Sequence, residues 1–105
     1  MSIDQQGGVD SIGKDLSKNE VVLTISDHLE WGDNEHLLKL QEKLNAYLSF
    51  LESGEIYEAY PDAEGASFVI DIICKYDPDP QGKAFLDQVE EIVSNAGFGV
   101  RWSVL

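Results

Sequence analysis

The chain has 105 residues, an apolar fraction of 43% and a single cysteine. This length and composition predict one α+β domain that folds without a disulfide. Seven lysine and arginine residues against twenty aspartate and glutamate residues give a formal net charge of −13. Such a field repels phosphate backbones and anionic membranes, so neither direct nucleic-acid binding nor membrane binding is expected. The sequence shows no secretory leader and no long apolar run, which favours a cytoplasmic protein.

The first elements are predicted to be a flexible terminus and a β-hairpin. Residues 1–8 are polar and end in two glycines, so we expect them to be flexible and residues 9–105 to form the domain. Residues 20–26 alternate apolar and polar positions, which is typical of a strand with one buried face. Residues 9–15 precede them across a polar turn and are predicted to pair with them as a hairpin.

A long amphipathic helix is predicted over residues 34–52. Leucines and a tyrosine recur there at helical spacing, and charged residues fall mostly on the other faces. Asp33 or Asn34 is predicted to cap its first turn, because a short side-chain oxygen can accept from the free backbone N–H groups. Gly54 is predicted to end the helix, since glycine tolerates positive φ.

The second half is predicted to contain three more strands and a helix. Residues 55–60 and 67–76 are interpreted as two strands joined by a turn. Asp79 followed by Pro80 predicts a capped helix start, and Gly97 predicts the helix end. A last strand follows Gly97 and runs to the C-terminus.

The predicted order is therefore ββαββαβ. Without the first strand, this is the βαββαβ order of the ferredoxin-like, split βαβ sandwich. We expect an antiparallel or mixed sheet with an extra N-terminal strand, covered by two helices on one face. The expected strand order is last, first, second, fourth, third.

Two segments resemble a known family. Residues 21–31 read VVLTISDHLEW, and residues 36–65 read HLLKLQEKLNAYLSFLESGEIYEAYPDAEG. This pattern is similar to that of a family of small bacterial proteins known as a domain of unknown function. The resemblance runs from Val9 to the C-terminus. The resemblance implies a bacterial, cytosolic protein. It implies no activity, cofactor or catalytic residue, because the family has none assigned.

The loop between the second strand and the first helix holds a candidate ligand site, formed by Asp27, His28, Glu30, Trp31 and His36. Histidine can bind a metal or transfer protons, and carboxylates complete zinc or manganese sites. The spacing matches no recognised ligand motif, and carboxylates near a helix N-terminus are favourable without a ligand. Two interpretations stay open: a ligand or metal site, and a loop fixed by its own polar side chains.

A second candidate is a surface for a basic protein partner. No lysine or arginine occurs between Leu44 and Cys74, whereas carboxylates and tyrosines alternate there. Carboxylates pair with basic side chains, and tyrosines make rigid contacts. The alternative is a solvated edge hairpin whose charges prevent aggregation. The candidate residues are Glu52, Glu55, Tyr57, Glu58, Tyr60, Asp62 and Glu64.

The residues show no catalytic signature. Cys74 continues an apolar strand face, which favours a buried structural thiol. We assign no catalytic residue, metal or cofactor. The leading hypothesis is a non-enzymatic interaction module, adaptor-like or immunity-like. The alternatives are a small-ligand or metal-binding domain using residues 27–36 and a small enzyme of unrecognised type. A homodimer that pairs through an exposed strand edge is compatible with all three.

Overall fold

A computed structural model of the protein describes residues 11–105. The predicted flexible segment 1–8 and the start of the first predicted strand lie outside the described residues. The elements are β1 Ser11–Asp15, β2 Glu20–Asp27, α1 Asn34–Glu52, α2 Glu55–Ala59, a 3₁₀ turn Pro61–Ala63, β3 Ser67–Cys74, α3 Pro80–Asn95 and β4 Gly99–Val104. The predicted α+β class is confirmed. No helix within the described range is long and apolar enough to cross a membrane.

The described strands form one mixed sheet in the order β1-β2-β3-β4. β1 is antiparallel to β2, which confirms the predicted hairpin. β2 is parallel to β3, and β3 is parallel to β4. The predicted strand order is therefore wrong. Each long helix connects two neighbouring parallel strands, so the two βαβ units are contiguous, whereas the ferredoxin-like arrangement expected from the sequence splits them.

The difference in topology arises in residues 55–60, which were predicted as a strand and form α2 instead. Gly54 ends α1 as predicted, with a left-handed φ of 85°, and redirects the chain into a new turn. Ile56 is then fully buried, and its carbonyl accepts from the Tyr60 N–H at 2.8 Å. The burial of Ile56 holds the segment against the core, and its backbone hydrogen bonds are helical, so no fifth strand forms from it.

The core lies between one face of the sheet and the helices α1 and α3. Alternate residues of β2 and β3 are buried on this face, while the intervening residues are partly or fully exposed. A single cluster joins these strand residues to the inner residues of α1 and α3, so both helices cover the same face. The buried apolar strand residues are Val21, Leu23, Ile25, Phe68, Ile70, Ile72 and Cys74. The buried apolar helix residues include Leu40, Leu44, Tyr47, Leu51, Leu86, Val89 and Val93.

Candidate functional site

The first candidate site lies where the parallel strands end and the long helices begin. β2 ends at Asp27 and β3 at Cys74, and these two residues are neighbours in the sheet. Asp33 caps α1 by accepting from the Glu35 N–H at 2.9 Å, and Asp79 caps α3 by accepting from the Gly82 N–H at 2.7 Å. Both caps confirm the sequence prediction. This edge of a parallel sheet is where many α/β proteins bind ligands.

Asp27 and His36 form a buried pair at this edge. The His36 Nε2 lies 2.6 Å from the Asp27 Oδ2, and each residue is 2% exposed. The other ring nitrogen, Nδ1, lies 3.0 Å from the Glu30 carbonyl oxygen. A carbonyl only accepts, so Nδ1 carries a proton. The second Asp27 oxygen accepts from the Leu29 N–H at 3.1 Å. The polar atoms of both side chains therefore bond to each other and to backbone groups of the loop.

Trp31 closes this edge from the side of α3. Its ring centroid lies 4.3 Å from that of His36. Its indole N–H donates to the Tyr76 carbonyl oxygen at 3.0 Å. On the other side it packs against Gly82, where an added Cβ would stand 2.5 Å from the indole Cε3. The tryptophan therefore joins the loop, α1 and α3, and its own ring fills the space between them.

The structure brings together only part of the predicted ligand set. Asp27, Trp31 and His36 meet, while the side chains of His28 and Glu30 are exposed. Glu30 contributes its backbone carbonyl and not its carboxylate. Within residues 11–105, no three or more histidine, cysteine, aspartate or glutamate side chains form a group that could hold a metal ion.

Cys74 lies beside this pair and is buried, as its strand position predicts. Burial, followed by the negative charges of Asp27 and Asp77, raises the pKa of its thiol to about 12. A nucleophilic cysteine needs the opposite conditions, namely a lowered pKa and access to solvent. The geometry therefore favours a structural thiol.

The second candidate, the acidic surface of residues 52–64, covers the end of α1, α2 and the 3₁₀ turn. It is not a hairpin at a sheet edge, so the alternative role of protecting such an edge is wrong. Tyr57 is 44% exposed and packs its ring edge-on against Phe68, with centroids 6.0 Å apart. Tyr60 is half-buried. The exposed carboxylates of the surface are Glu52, Glu55, Glu58, Asp62 and Glu64.

The sequence did not reveal a groove between α1 and α3. Its cavity has a volume of about 240 Å³ and lies on the outer side of the helices. Leu48, Phe85 and Ile92 line it together with polar amide side chains. Ile92 is 59% exposed although it belongs to the apolar stripe of α3. The exposure of Ile92 depends on the distance between α1 and α3, and the apolar periodicity of the sequence does not predict that distance.

These features define a small acidic α+β protein. The buried polar side chains of the loop between β2 and α1 find their hydrogen-bond partners within the protein. The chain belongs to a family of unknown function, DUF6572, whose model matches residues 1–105. This match confirms the resemblance to a domain of unknown function. Comparison with curated proteins and with solved structures found no match.

Proposed function

We propose that the protein is a non-enzymatic interaction module that binds a basic protein through the acidic surface of residues 52–64. The observation that carries this proposal is the placement of exposed carboxylates around Tyr57, which is exposed and yet held by the core. Residues 45–73 contain no lysine or arginine. One lysine from β1 reaches the surface, since the Lys14 Nζ donates to the Asp62 carbonyl at 3.0 Å, and the five exposed carboxylates outnumber it.

The anchoring of this surface favours specific recognition. Ile56 is fully buried one residue before Tyr57, so α2 is held in place while its outer side faces solvent. The contact with Phe68 restricts the tyrosine ring, which lowers the entropy lost on binding. The carboxylates would attract a basic partner over a distance of about 8–10 Å at physiological salt, which raises the association rate.

A charge-reversal comparison tests this function. The triple variant Glu55→Lys, Glu58→Lys, Glu64→Lys removes the local negative charge, and all three residues are exposed. The matched control, Asp87→Lys, Glu90→Lys, Glu91→Lys, makes the same change on exposed positions of α3. Bait proteins would capture partners from a lysate of the source organism, and calorimetry would measure the affinity of each captured protein.

The expected result is a basic partner that binds the wild type and the α3 variant and is lost from the acidic-surface variant. Its affinity should also fall as salt rises, because exposed charges are screened. Equal loss in both variants would show that only the net charge matters, and unchanged binding in the acidic-surface variant would refute the proposal.

The loop of residues 27–36 supports a ligand role less well. The polar atoms of Asp27 and His36 are occupied by each other and by backbone groups of the loop. A ligand would have to break these contacts and displace Trp31. A thermal-shift screen with divalent metals, on the wild type and His36→Ala, tests this alternative. A metal-dependent rise in melting temperature that the variant lacks would support it.

A further inference from the structure

The outer edge of β4 has backbone groups that no described strand pairs. β4 is the last strand of the described sheet, and its neighbour there is β3. The Leu105 N–H donates to the Cys74 carbonyl at 2.9 Å, so the backbone of Leu105 faces β3. Backbone groups alternate in direction along a strand. Those of Val100, Trp102 and Val104 therefore point outward, away from β3.

The side chains of the same three residues form an incompletely covered apolar row. In the register they lie opposite Ile70, Ile72 and Cys74, so they share the face that the helices cover. Their β3 neighbours are at most 1% exposed, whereas Val100 and Trp102 are half-buried and Val104 is 39% exposed. These three side chains extend the apolar face of the sheet to its edge, where the helices cover it only in part.

The charge of this edge differs from that of the rest of the protein. Residues 92–105 contain no aspartate or glutamate, and Arg101 is the only arginine of the chain. A protein with a net charge of −13 repels its own copies over most of its surface. β4 itself adds no acidic side chain to this repulsion, which favours the β4 edge as a contact between two copies.

The opposite edge of the described sheet is built differently. β1 has five residues, including Gly13 and Lys14. Lysine on an edge strand is a common way to prevent strand pairing between molecules. β4 has six residues and contains neither lysine nor proline. The described part of β1 thus carries a lysine, whose ammonium donates to the Asp62 carbonyl, and β4 carries none.

From these observations we infer that two copies of the chain pair through β4, antiparallel and about a two-fold axis, to give one sheet that runs through both copies. A two-fold interface brings the same strand of each copy together in opposite directions. Trp102 then lies beside its counterpart near the axis, and Val100 lies opposite Val104 of the second copy. This surface is separate from the acidic surface of residues 52–64, so each proposal can fail without the other.

The test is the molar mass in solution, measured by sedimentation equilibrium over a wide range of concentration. The wild type should approach twice the monomer mass of 11.7 kDa. Val100→Pro removes one outward N–H and leaves the β3 ladder intact, because proline is tolerated on the free side of an edge strand. Its dimer should be weaker by at least about tenfold, which corresponds to roughly 1.4 kcal/mol.

Two further variants keep the test decisive. Val104→Lys adds a charge to the edge at a partly exposed position, and it decides the outcome if Val100→Pro does not fold by circular dichroism. Ile92→Gln changes an exposed apolar residue of the groove and should leave the dimer intact. The inference is overturned by a wild type that stays monomeric, by a dimer that survives in the folded edge variants, or by loss of the dimer in Ile92→Gln.

Discussion

The His36 Nε2 lies 2.6 Å from the Asp27 Oδ2, and this contact fastens the first turn of α1 to the last residue of β2. The remaining polar atoms of the pair bond to the Leu29 N–H and the Glu30 carbonyl. The loop between β2 and α1 is thus held in place by hydrogen bonds among its own residues and His36. The pair thus links the first turn of α1 to β2, and the contact of His36 with Trp31 links it to α3, because Trp31 packs against Gly82.

The first prediction concerns this pair. Asp27→Ala or His36→Ala alone should lower the free energy of unfolding by about 3–5 kcal/mol, because each leaves a buried partner without its counterpart. The double variant Asp27→Ala, His36→Ala should lose clearly less than the sum of the two single variants, because it leaves no orphaned partner. Urea denaturation of the four proteins measures the coupling.

Glu30→Gln is the control, since this carboxylate belongs to the same loop and is exposed. Its effect should stay within about 0.5 kcal/mol. Strictly additive losses in the double variant would show that the two side chains do not act as a pair.

Much of the fold follows from local pattern. The α1 helix, its cap at Asp33 or Asn34 and the Asp79–Pro80 start of α3 follow from the sequence, because a periodic apolar stripe and a capping residue are both local signals. Residues 55–60 were predicted wrongly, because a segment this short fits both alternation and helical spacing. The left-handed turn at Gly54 and the burial of Ile56 decide between them, and burial is a tertiary effect.

The sequence predicts which residues of the loop belong to the candidate site, but it does not predict which of them contact each other. Asp27, Trp31 and His36 stood out as polar or aromatic residues in a single loop, but their spacing matched no motif. Which histidine meets the aspartate depends on the angle at which α1 returns over the sheet. The contact of Trp31 with Gly82 joins the loop after β2 to α3, which is distant in sequence, so no local pattern predicts it.

The second prediction concerns Gly82. Alanine inside a helix is normally favoured over glycine by about 0.5–1 kcal/mol. Here the new Cβ would stand 2.5 Å from the Trp31 ring, which its hydrogen bond to Tyr76 and its contact with His36 hold in place. We expect Gly82→Ala to lower the free energy of unfolding by about 1–3 kcal/mol, as for other overpacked sites. Tryptophan fluorescence should shift at the same time.

Gly13→Ala is the matched control for that substitution. Gly13 has nothing within 4 Å of an added Cβ, so the same chemical change should be near neutral. A stabilised Gly82→Ala would contradict the prediction, and a fluorescence shift in that stabilised variant would show that Trp31 moves aside at little cost.

The third prediction concerns the thiol of Cys74. Burial raises its pKa to about 12 from an ordinary value of 9.0. The folded protein should therefore react slowly with a thiol reagent at pH 8, and the urea-unfolded protein rapidly, because the reagent needs an accessible thiolate. Rapid reaction of the folded protein would contradict the burial.

The same pKa shift predicts a pH dependence of stability. Below pH 9 both states keep the proton, so the thiol has no effect on the pH dependence. Between about pH 9 and 12 the unfolded state loses the proton and the folded state keeps it, so the free energy of unfolding falls as pH rises. Cys74→Ala lacks this titration. The stability difference between wild type and Cys74→Ala should therefore shift against the wild type across this range, and a constant difference would refute the prediction.

The last prediction concerns the open face of the sheet. The Arg101 Nη1 lies 3.5 Å from the Glu20 Oε1, and its Nε lies 3.5 Å from the Asp71 Oδ2. The Glu20 Oε1 is buried and has no hydrogen bond. Arg101→Gln would leave two half-buried carboxylates near each other without a counter-charge. We expect it to lower the free energy of unfolding by about 1 kcal/mol, at the upper end for a partly exposed ion pair.

Adding Glu20→Gln to Arg101→Gln should restore part of this loss, because only one carboxylate then remains on this part of the face. Lys83→Gln removes one positive charge from an exposed site on α3 and controls for the change in net charge. The loss in Arg101→Gln should also shrink at high salt, since the arginine is about half exposed and its charge is screened. Equal effects of Arg101→Gln and Lys83→Gln would show that the bridge between β2, β3 and β4 adds nothing beyond net charge.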